Sequence, residues 1–265
     1  MPRAIVTRPA TEGQVWVENL RAHGVDAVSL PLITIHPVAD KAALVHAWAQ
    51  LDRYDAVMFV SGNAVSHFFT QQAAQSANTW RPSLRAWVTG PGSQSVLQAC
   101  GMQRARIDAP GIADAQFDSE ALWRVVRPQV GSGTRVLIVR GRAASRTPPM
   151  PSVSGTGRDW LAQQIEAAGG GADFVVAYER RAPVWGAAEL DRVAQAACDG
   201  SVWILSSAEG LSYLLDAAPG QGWEHAKALA THPRIAAAAR QAGFGWVHET
   251  RPVLADLVAS IESQA

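Results

Sequence analysis

The chain has no excess of charge and no apolar run long enough to cross a bilayer. Its 265 residues contain 23 basic and 23 acidic side chains, so the formal net charge is zero. A neutral chain lacks the general electrostatic attraction that nucleic-acid binders and anionic-membrane binders use, so any anionic ligand must be held by local groups. The N-terminal segment MPRAIVTRP also lacks the apolar core of a secretory signal. We therefore expect a cytoplasmic protein that binds neither nucleic acid nor membrane.

Cysteine is scarce, and the familiar cofactor motifs are missing. Cys100 and Cys198 each lie near the end of a predicted helix in an alanine-rich context, which favours structural side chains over a disulfide or a metal site. The seven histidines are spaced too irregularly for a ligand set. The sequence has no GxxxxGK(S/T), HExxH, CxxC or GxSxG, and Gly90-Pro91-Gly92 lacks the later glycine of a dinucleotide fingerprint. We expect no metal and no cofactor.

What the sequence does contain is one strand–turn–helix pattern that occurs twice. The segment from Ala56 to Ser61 is an apolar run of strand length, and Gly62-Asn63 then leads into apolar residues at helical spacing. Gly200 to Leu214 matches this stretch without a gap, which aligns Ser206 with Ser61. Parallel α/β sheets bind ligands at such turns, where a strand's carboxyl end meets the N–H groups of a helix N-terminus. Two equivalent turns predict two sheets with similar ligand edges.

The second half of the chain repeats the first. Arg135 opens the segment RVLIVRG, which resembles the N-terminal RAIVTRP and aligns Arg140 with Arg8. About ten alternations of strand and helix predict an α/β protein with two doubly wound, parallel-sheet (flavodoxin-like) domains. An insertion rich in proline, serine and glycine occupies residues 143–157, and it is either a surface loop or a lid over the ligand.

The candidate binding residues lie where predicted strands end. They offer hydroxyl, imidazole, amide, guanidinium or backbone N–H groups, and they are Arg8, Ser61, Gly62, Asn63, Gly90, Ser93, Arg140, Gly141, Ser206, Ser207, His232 and Arg234. The serines have two interpretations, as helix caps or as parts of anion sites, because both roles use the same N–H groups. The arginines are either solvated charges or carboxylate ligands, and the matched positions of Arg8 and Arg140 favour carboxylate binding.

A series of short motifs resembles the uroporphyrinogen-III synthase family over nearly the whole chain. The motifs are TRP at Thr7–Pro9, Leu30-Pro31-Leu32-Ile33, FVSGNAV, VTGPGS, Ser119-Glu120 before a helix, LIVRG, GxGR at Gly155–Arg158 and AYERR at Ala177–Arg181. The resemblance implies one domain from residues 1–35 and 182–265 and another from 38–178, joined by two antiparallel connecting strands. Prolines independently predict chain crossings at Leu32–Pro37 and Tyr178–Pro183.

The resemblance also implies an activity. The family closes linear hydroxymethylbilane, a tetrapyrrole with many carboxylates, into uroporphyrinogen III, with inversion of ring D, loss of water and no cofactor. The bilane closes unaided to the uninverted isomer, so such an enzyme must impose a fold on a flexible anion. We therefore expect a monomeric, cytoplasmic lyase of tetrapyrrole and heme biosynthesis that holds its substrate in a cleft of helix N-termini. The alternative is a two-domain binding or sensor module for a multi-carboxylate small molecule, with no turnover.

Matched residue by residue, the resemblance singles out Tyr178 as the catalytic residue. Tyr178 stands at the family's tyrosine of the connecting segment and would hydrogen-bond the departing hydroxyl; a tyrosine packed at a chain crossing is the alternative. Ser61 matches the serine of the first motif, and Ser93 stands where the family usually has threonine. Arg158, at the end of GxGR, is a further candidate for binding the substrate.

One segment departs from the family's pattern. His232-Pro233-Arg234-Ile235 replaces the glycine-proline-threonine-threonine sequence of some members. The hydroxyl contacts of those members are therefore not expected here. Arg234 is instead expected to bind a propionate or acetate of the substrate.

Overall fold

A computed structural model describes residues 1–70, 80–144 and 157–264. Of residues 157 and 158 it describes the backbone only. Most of the insertion predicted at 143–157 lies outside the described residues, so neither interpretation of it is tested. Within the part of the chain that is described, no helix has the length and apolar character that crossing a membrane requires.

Strands and helices alternate along the chain. The strands are β1 (Ala4–Val6), β2 (Ala27–Ser29), β3 (Thr34–Pro37), β4 (Ala56–Phe59), β5 (Arg85–Val88), β6 (Ile107–Asp108), β7 (Arg135–Ala143), β8 (Gly171–Arg181), β9 (Val202–Leu205), β10 (Lys227–Ala230) and β11 (Trp246–Glu249). The α-helices are α1 (Ala10–Ala22), α2 (Ala42–Ala49), α3 (Gly62–Phe69), α4 (Pro91–Ala99), α5 (Ser119–Val126), α6 (Gly157–Ala167), α7 (Ala187–Ala196), α8 (Ala208–Ala217), α9 (Pro233–Gln241) and α10 (Leu254–Glu262).

The chain divides into two compact units, each built from both halves of the sequence repeat. Unit 1 contains residues 1–34 and 181–265, and unit 2 contains residues 35–180. The sheet of unit 1 has the strand order β11-β10-β9-β1-β2, and the sheet of unit 2 has the order β3-β8-β7-β4-β5-β6. Each sheet therefore combines strands from the first half of the sequence with strands from the second.

Both sheets are doubly wound. The order β2-β1-β9-β10-β11 in unit 1 is the flavodoxin-like order, with every pair parallel, and β8-β7-β4-β5-β6 repeats it in unit 2. Successive residues of a strand face opposite sides of the sheet, so Ile5 joins one buried cluster while Ala4 and Val6 join another. In unit 2, Val57 and Met58 are divided between two clusters in the same way. The predicted α/β fold with parallel sheets is confirmed.

Equivalent strands pair in the same register in the two sheets. This register shifts the sequence alignment of the two repeats by one residue. Ala4 pairs with Val202 in unit 1, and Val136 pairs with Ala56 in unit 2, so β9 corresponds to β4 from its first residue. Ser207, and not Ser206, is therefore the counterpart of Ser61. The gapless match was wrong because it superimposed the apolar runs. The structure starts β4 at Ala56 and leaves the apolar Val60 beyond the strand.

Candidate active site

The carboxyl ends of four neighbouring strands in unit 2 gather most of the candidate residues at one edge. The strands β8, β7, β4 and β5 lie side by side and pair in parallel, so the segments that follow them emerge together. The residues at or just beyond these strand ends are Arg140, Gly141, Tyr178, Ser61, Gly62, Asn63, Gly90 and Ser93.

Ser61 is a helix cap and also a partner of Tyr178. Its backbone is extended, with φ −166° and ψ 166°, and its Oγ accepts a hydrogen bond of 3.1 Å from the N–H of Ala64 in α3. The same Oγ lies 3.0 Å from Oη of Tyr178. Gly62 and Asn63 form the start of α3, which has no acidic side chain in its first turn. The cap therefore coexists with a helix N-terminus whose dipole favours anions.

Tyr178 is a packed tyrosine whose hydroxyl lies at the cap of α3. Only 3% of the residue is exposed. Its ring occupies the space that a side chain on Gly141 would fill, because a Cβ built at Gly141 would lie 2.3 Å from Cζ of Tyr178. The pairing of β7 with β8 is irregular here, with Arg140 opposite Val176 and Gly141 opposite Tyr178. This β-bulge re-aims the strand residues at the edge.

The ring of Tyr178 also contacts the imidazole of His67 in α3. The two rings are stacked, with centroids 5.7 Å apart and planes at 26°. Burial, and secondarily the charge of Lys41, lowers the pKa of His67 below its ordinary value. The imidazole is therefore neutral at pH 7.

The turn after β5 is built for close backbone approach. Gly90 is the N-cap residue of α4, and a Cβ there would lie 3.2 Å from Cβ of Phe117. Pro91 opens the helix, as its fixed φ permits, and Ser93 is half-buried in the first turn. This first turn also has no acidic residue, so α4 offers a second N-terminus that favours anions.

Arg140 is engaged with its own unit. Its Nη1 lies 3.3 Å from Oδ1 of Asp159, and its guanidinium carbon lies 4.3 Å from the ring centroid of Phe174. Arg140 is therefore a partly exposed charge with a partner in its own unit, and a third of its side chain is exposed. The side chain of Arg158 lies outside the described set.

In unit 1, Arg8 lies just beyond β1 and is the most desolvated of the candidate arginines whose side chains are described. Its Nη1 lies 3.3 Å from Oε2 of Glu12, its guanidinium carbon is 4.9 Å from the ring centroid of Trp16, and 18% of the side chain is exposed. Burial lowers the pKa of the guanidinium, and the Glu12 carboxylate offsets part of that shift. The buried Nε has no hydrogen-bond partner among the described residues.

The other strand ends of unit 1 carry helix caps. Ser207 caps α8 by accepting a hydrogen bond of 3.2 Å from the N–H of Gly210, and Ser206 is half-buried beside it. His232 caps α9 in the same way, since its Nδ1 accepts from the N–H of Arg234 at 3.1 Å. The side chain of Arg234 is exposed. The helix-cap interpretation is therefore correct for Ser61 and Ser207.

The equivalent turns of the two units differ in chemistry. Tyr213 has the same position in α8 as His67 has in α3, but its hydroxyl bonds Oε1 of Glu209 in its own helix at 3.0 Å. Glu209 also places a carboxylate in the first turn of α8, where it competes with an external anion. Of the two capping serines, Ser61 is the one with a tyrosine hydroxyl on its Oγ.

Sequence reasoning missed one group that contacts Tyr178, His67, and one that lies next to it in the chain, Glu179. His67 is one of seven scattered histidines, and nothing in its spacing signals a stacking partner on another element. Glu179, which is 7% exposed, pairs with Arg142 across β7 and β8, with its Oε1 3.1 Å from Nε of the arginine. This ion pair lies one residue beyond the irregular pairing and fixes the register there.

Gly141→Ala is expected to lower the free energy of unfolding by about 1–3 kcal/mol, because the new carbon overlaps the Tyr178 ring. In a Tyr178→Ala background the same substitution should cost less than about 0.5 kcal/mol, since the overlap is gone. Urea denaturation of the four proteins measures the difference. Gly131→Ala is the control, because a Cβ there has nothing within 4 Å. An equal cost in both backgrounds would contradict the packing described for Tyr178.

Comparison with known proteins agrees with the fold and the motifs. The family model described as uroporphyrinogen-III synthase HemD matches residues 14–259. The chain is 27% identical over 244 residues to uroporphyrinogen-III synthase of Salmonella typhimurium and 26% identical over 244 residues to that of Escherichia coli, with 91% of each chain covered in both cases.

Solved structures share the same fold. A mutant uroporphyrinogen III synthase of Thermus thermophilus gives a TM-score of 0.56 at 15% identity, with 100% of this chain and 98% of that chain covered. The synthetase of Helicobacter pylori gives 0.55 at 13% identity, with 100% and 99% covered. The family model spans nearly all of the sequence, and the chain belongs to the uroporphyrinogen-III synthase family.

Proposed function

We propose that this chain closes hydroxymethylbilane to uroporphyrinogen III, with inversion of ring D and loss of water, and that Tyr178 is its catalytic residue. The observation that carries the proposal is the 3.0 Å contact between the hydroxyls of Tyr178 and Ser61. These two residues come from separate motifs of the resemblance and meet at a strand edge of the kind that binds ligands in parallel α/β sheets. A non-catalytic binding module is not favoured by the comparisons.

Either hydroxyl of this pair can donate, and the arrangement in which Ser61 donates leaves the tyrosine proton for a leaving group. Ser61 Oγ already accepts from the N–H of Ala64, so its own proton is available for Oη of Tyr178. Tyr178 can then donate its proton towards the oxygen of the departing hydroxyl, in a hydrogen bond that strengthens as the C–O bond breaks. The hydroxyl leaves as water with the tyrosine proton, and the N–H of the same pyrrole releases a proton that neutralises the tyrosinate, so the substrate becomes a neutral azafulvene. The far pyrrole attacks this azafulvene through a spiro intermediate, which reopens and recloses with the last ring inverted.

Binding of the carboxylates is distributed over many groups. The N-termini of α3, α4 and α9 have no acidic residue in their first turns, which suits anions. We assign these turns to the substrate through Ser61, Gly62 and Asn63, through Gly90 and Ser93, and through His232 and Arg234. Arg8, Arg140, Gly141, Arg158, Ser206 and Ser207 complete the proposed set. Several weak contacts hold a flexible polyanion in one fold, which is the main requirement of the reaction.

We also propose that the protein is a monomer, that it acts in the cytoplasm and that it uses no cofactor, as the family resemblance implies. Its substrate is a linear tetrapyrrole.

Purified protein supplied with freshly made hydroxymethylbilane should release the type III isomer, because the enzyme must outrun unaided closure. Chromatographic separation of the oxidised products gives the isomer ratio. Bilane without protein is the control and gives type I. Type I alone in both reactions would refute the enzyme, and a melting temperature that rises with the bilane would then indicate the binding module.

Tyr178→Phe should lower kcat by about tenfold or more, because the ring stays packed while the donated proton is lost. The melting temperature should fall by only a few degrees, since one hydrogen bond contributes about 0.5–1.5 kcal/mol. Tyr54→Phe is the matched control, because Tyr54 bonds Asp173 at 3.0 Å, away from the strand edge. A wild-type kcat in Tyr178→Phe would show that this tyrosine has a packing role and no catalytic role.

Substitutions at Ser61 can separate its two roles. Ser61→Ala should cost the protein about 1 kcal/mol of stability, whereas Ser61→Gly should cost only a few tenths, since glycine is a tolerable N-cap residue. Both variants remove the hydroxyl next to Tyr178, so both should lower kcat by a similar factor. A kcat that follows stability, falling in the alanine variant alone, would show that Ser61 acts only as a cap.

A further inference from the structure

His67 is a side chain outside the proposed substrate contacts that touches the proposed catalytic group. Its ring is stacked on the ring of Tyr178 with centroids 5.7 Å apart. The same helix, α3, also carries the Ser61 cap that meets the tyrosine hydroxyl. One short helix therefore contacts Tyr178 at both its ring face and its oxygen.

The ring of Tyr178 is held on several sides. It is 3% exposed and belongs to a buried cluster, and the backbone of Gly141 lies directly against it, since a Cβ built there would be 2.3 Å from Cζ. A tyrosine ring turns about its side-chain torsions unless neighbours fix it. His67 supplies the flat face that opposes this motion from α3, and Ser61 restrains the oxygen.

The duplicated turn in unit 1 shows that the helix itself does not require a histidine here. The counterpart of His67 in α8 is Tyr213, which is buried and bonds Glu209 of its own helix. In α3, the residue at this position instead contacts another strand, β8, through Tyr178. The copy that has a histidine at this position is therefore the copy that contains the proposed catalytic tyrosine.

The chemistry of a neutral imidazole suits a place next to this tyrosine. Breaking the C–O bond of the bilane develops positive charge on the substrate, and a cation beside the tyrosine would oppose that charge. The lowered pKa of His67 keeps its ring uncharged at pH 7 while preserving a flat stacking surface.

We propose that His67 is a positioning residue for Tyr178, which it holds by ring stacking so that the tyrosine hydroxyl remains at the α3 cap. The inference rests on the proposed function, and it adds a residue that acts on Tyr178 without touching the substrate.

His67→Ala should lower kcat about tenfold with KM changed less than about twofold, because the tyrosine is displaced while the carboxylate contacts remain. His67→Phe restores a flat uncharged ring and should recover kcat to within about threefold of wild type. His46→Ala is the control, since His46 is an exposed histidine of the neighbouring helix α2. The type III fraction should fall in His67→Ala in parallel with kcat.

A double-mutant cycle separates positioning from a general loss of structure. In a Tyr178→Phe background, which lacks the hydroxyl to be positioned, His67→Ala should change kcat by less than about twofold. A full tenfold loss in that background, or wild-type kcat in His67→Ala, would overturn the inference. If wild-type protein forms type III and Tyr178→Phe is slow, either result refutes the positioning role of His67 and leaves the proposed function intact. If Tyr178→Phe retains wild-type kcat, the proposed role of Tyr178 has failed instead.

Discussion

A hydrogen bond between two hydroxyls, on Tyr178 and Ser61, depends on the whole architecture of unit 2. The two residues are far apart in sequence, and they meet because β8, β7 and β4 run parallel and end at one edge. The bond also needs a glycine at position 141, since any larger residue would occupy the volume of the tyrosine ring. It needs the irregular pairing of β7 with β8, which the ion pair of Arg142 with Glu179 stabilises just beyond it. A chemical contact worth about 1 kcal/mol in stability is thus specified by several packing constraints.

The internal duplication separates what the scaffold requires from what the chemistry requires. Both units retain a serine that caps the helix after the third strand of the flavodoxin-like order, and both have a proline in the first turn of the next helix. These shared features satisfy orphan N–H groups and are structural needs of any such turn. Other features differ between the copies. One copy has a histidine stacked on a tyrosine, and the other has a Glu209–Tyr213 pair. Neither contact is required to satisfy the N–H groups of the turn. The difference between the two copies therefore lies in a few side chains on two similar frames.

Much of the fold was accessible from the sequence because it follows local rules. Alternating apolar strands and capped helices predicted parallel sheets, and turn residues located Ser61 and Gly90 correctly at helix starts. The one-residue error at Ser206 arose because the large apolar residues of the two runs, Val57–Val60 and Val202–Leu205, were superimposed, whereas the structure starts β4 at Ala56 and β9 at Val202. The stacking of His67 could not be predicted, since it depends on how a helix packs across a bulged strand. Such a contact between elements leaves no periodicity in the chain.

The three candidate arginines whose side chains are described, Arg8, Arg140 and Arg234, illustrate why burial decides what a charge can contribute to binding. Arg234 is exposed, so water and salt already solvate it, and a substrate carboxylate would gain little there. Arg140 shares its charge with Asp159 and stacks on Phe174, so a carboxylate must compete with an existing partner. Arg8 is the most desolvated, yet its Glu12 contact is long and its Nε is unpaired among the described residues. A buried charge with incomplete pairing gains most from a new anion, because the desolvation cost is already met in the free protein. Of the three, Arg8 is therefore the guanidinium for which pairing with an added carboxylate would release the most free energy.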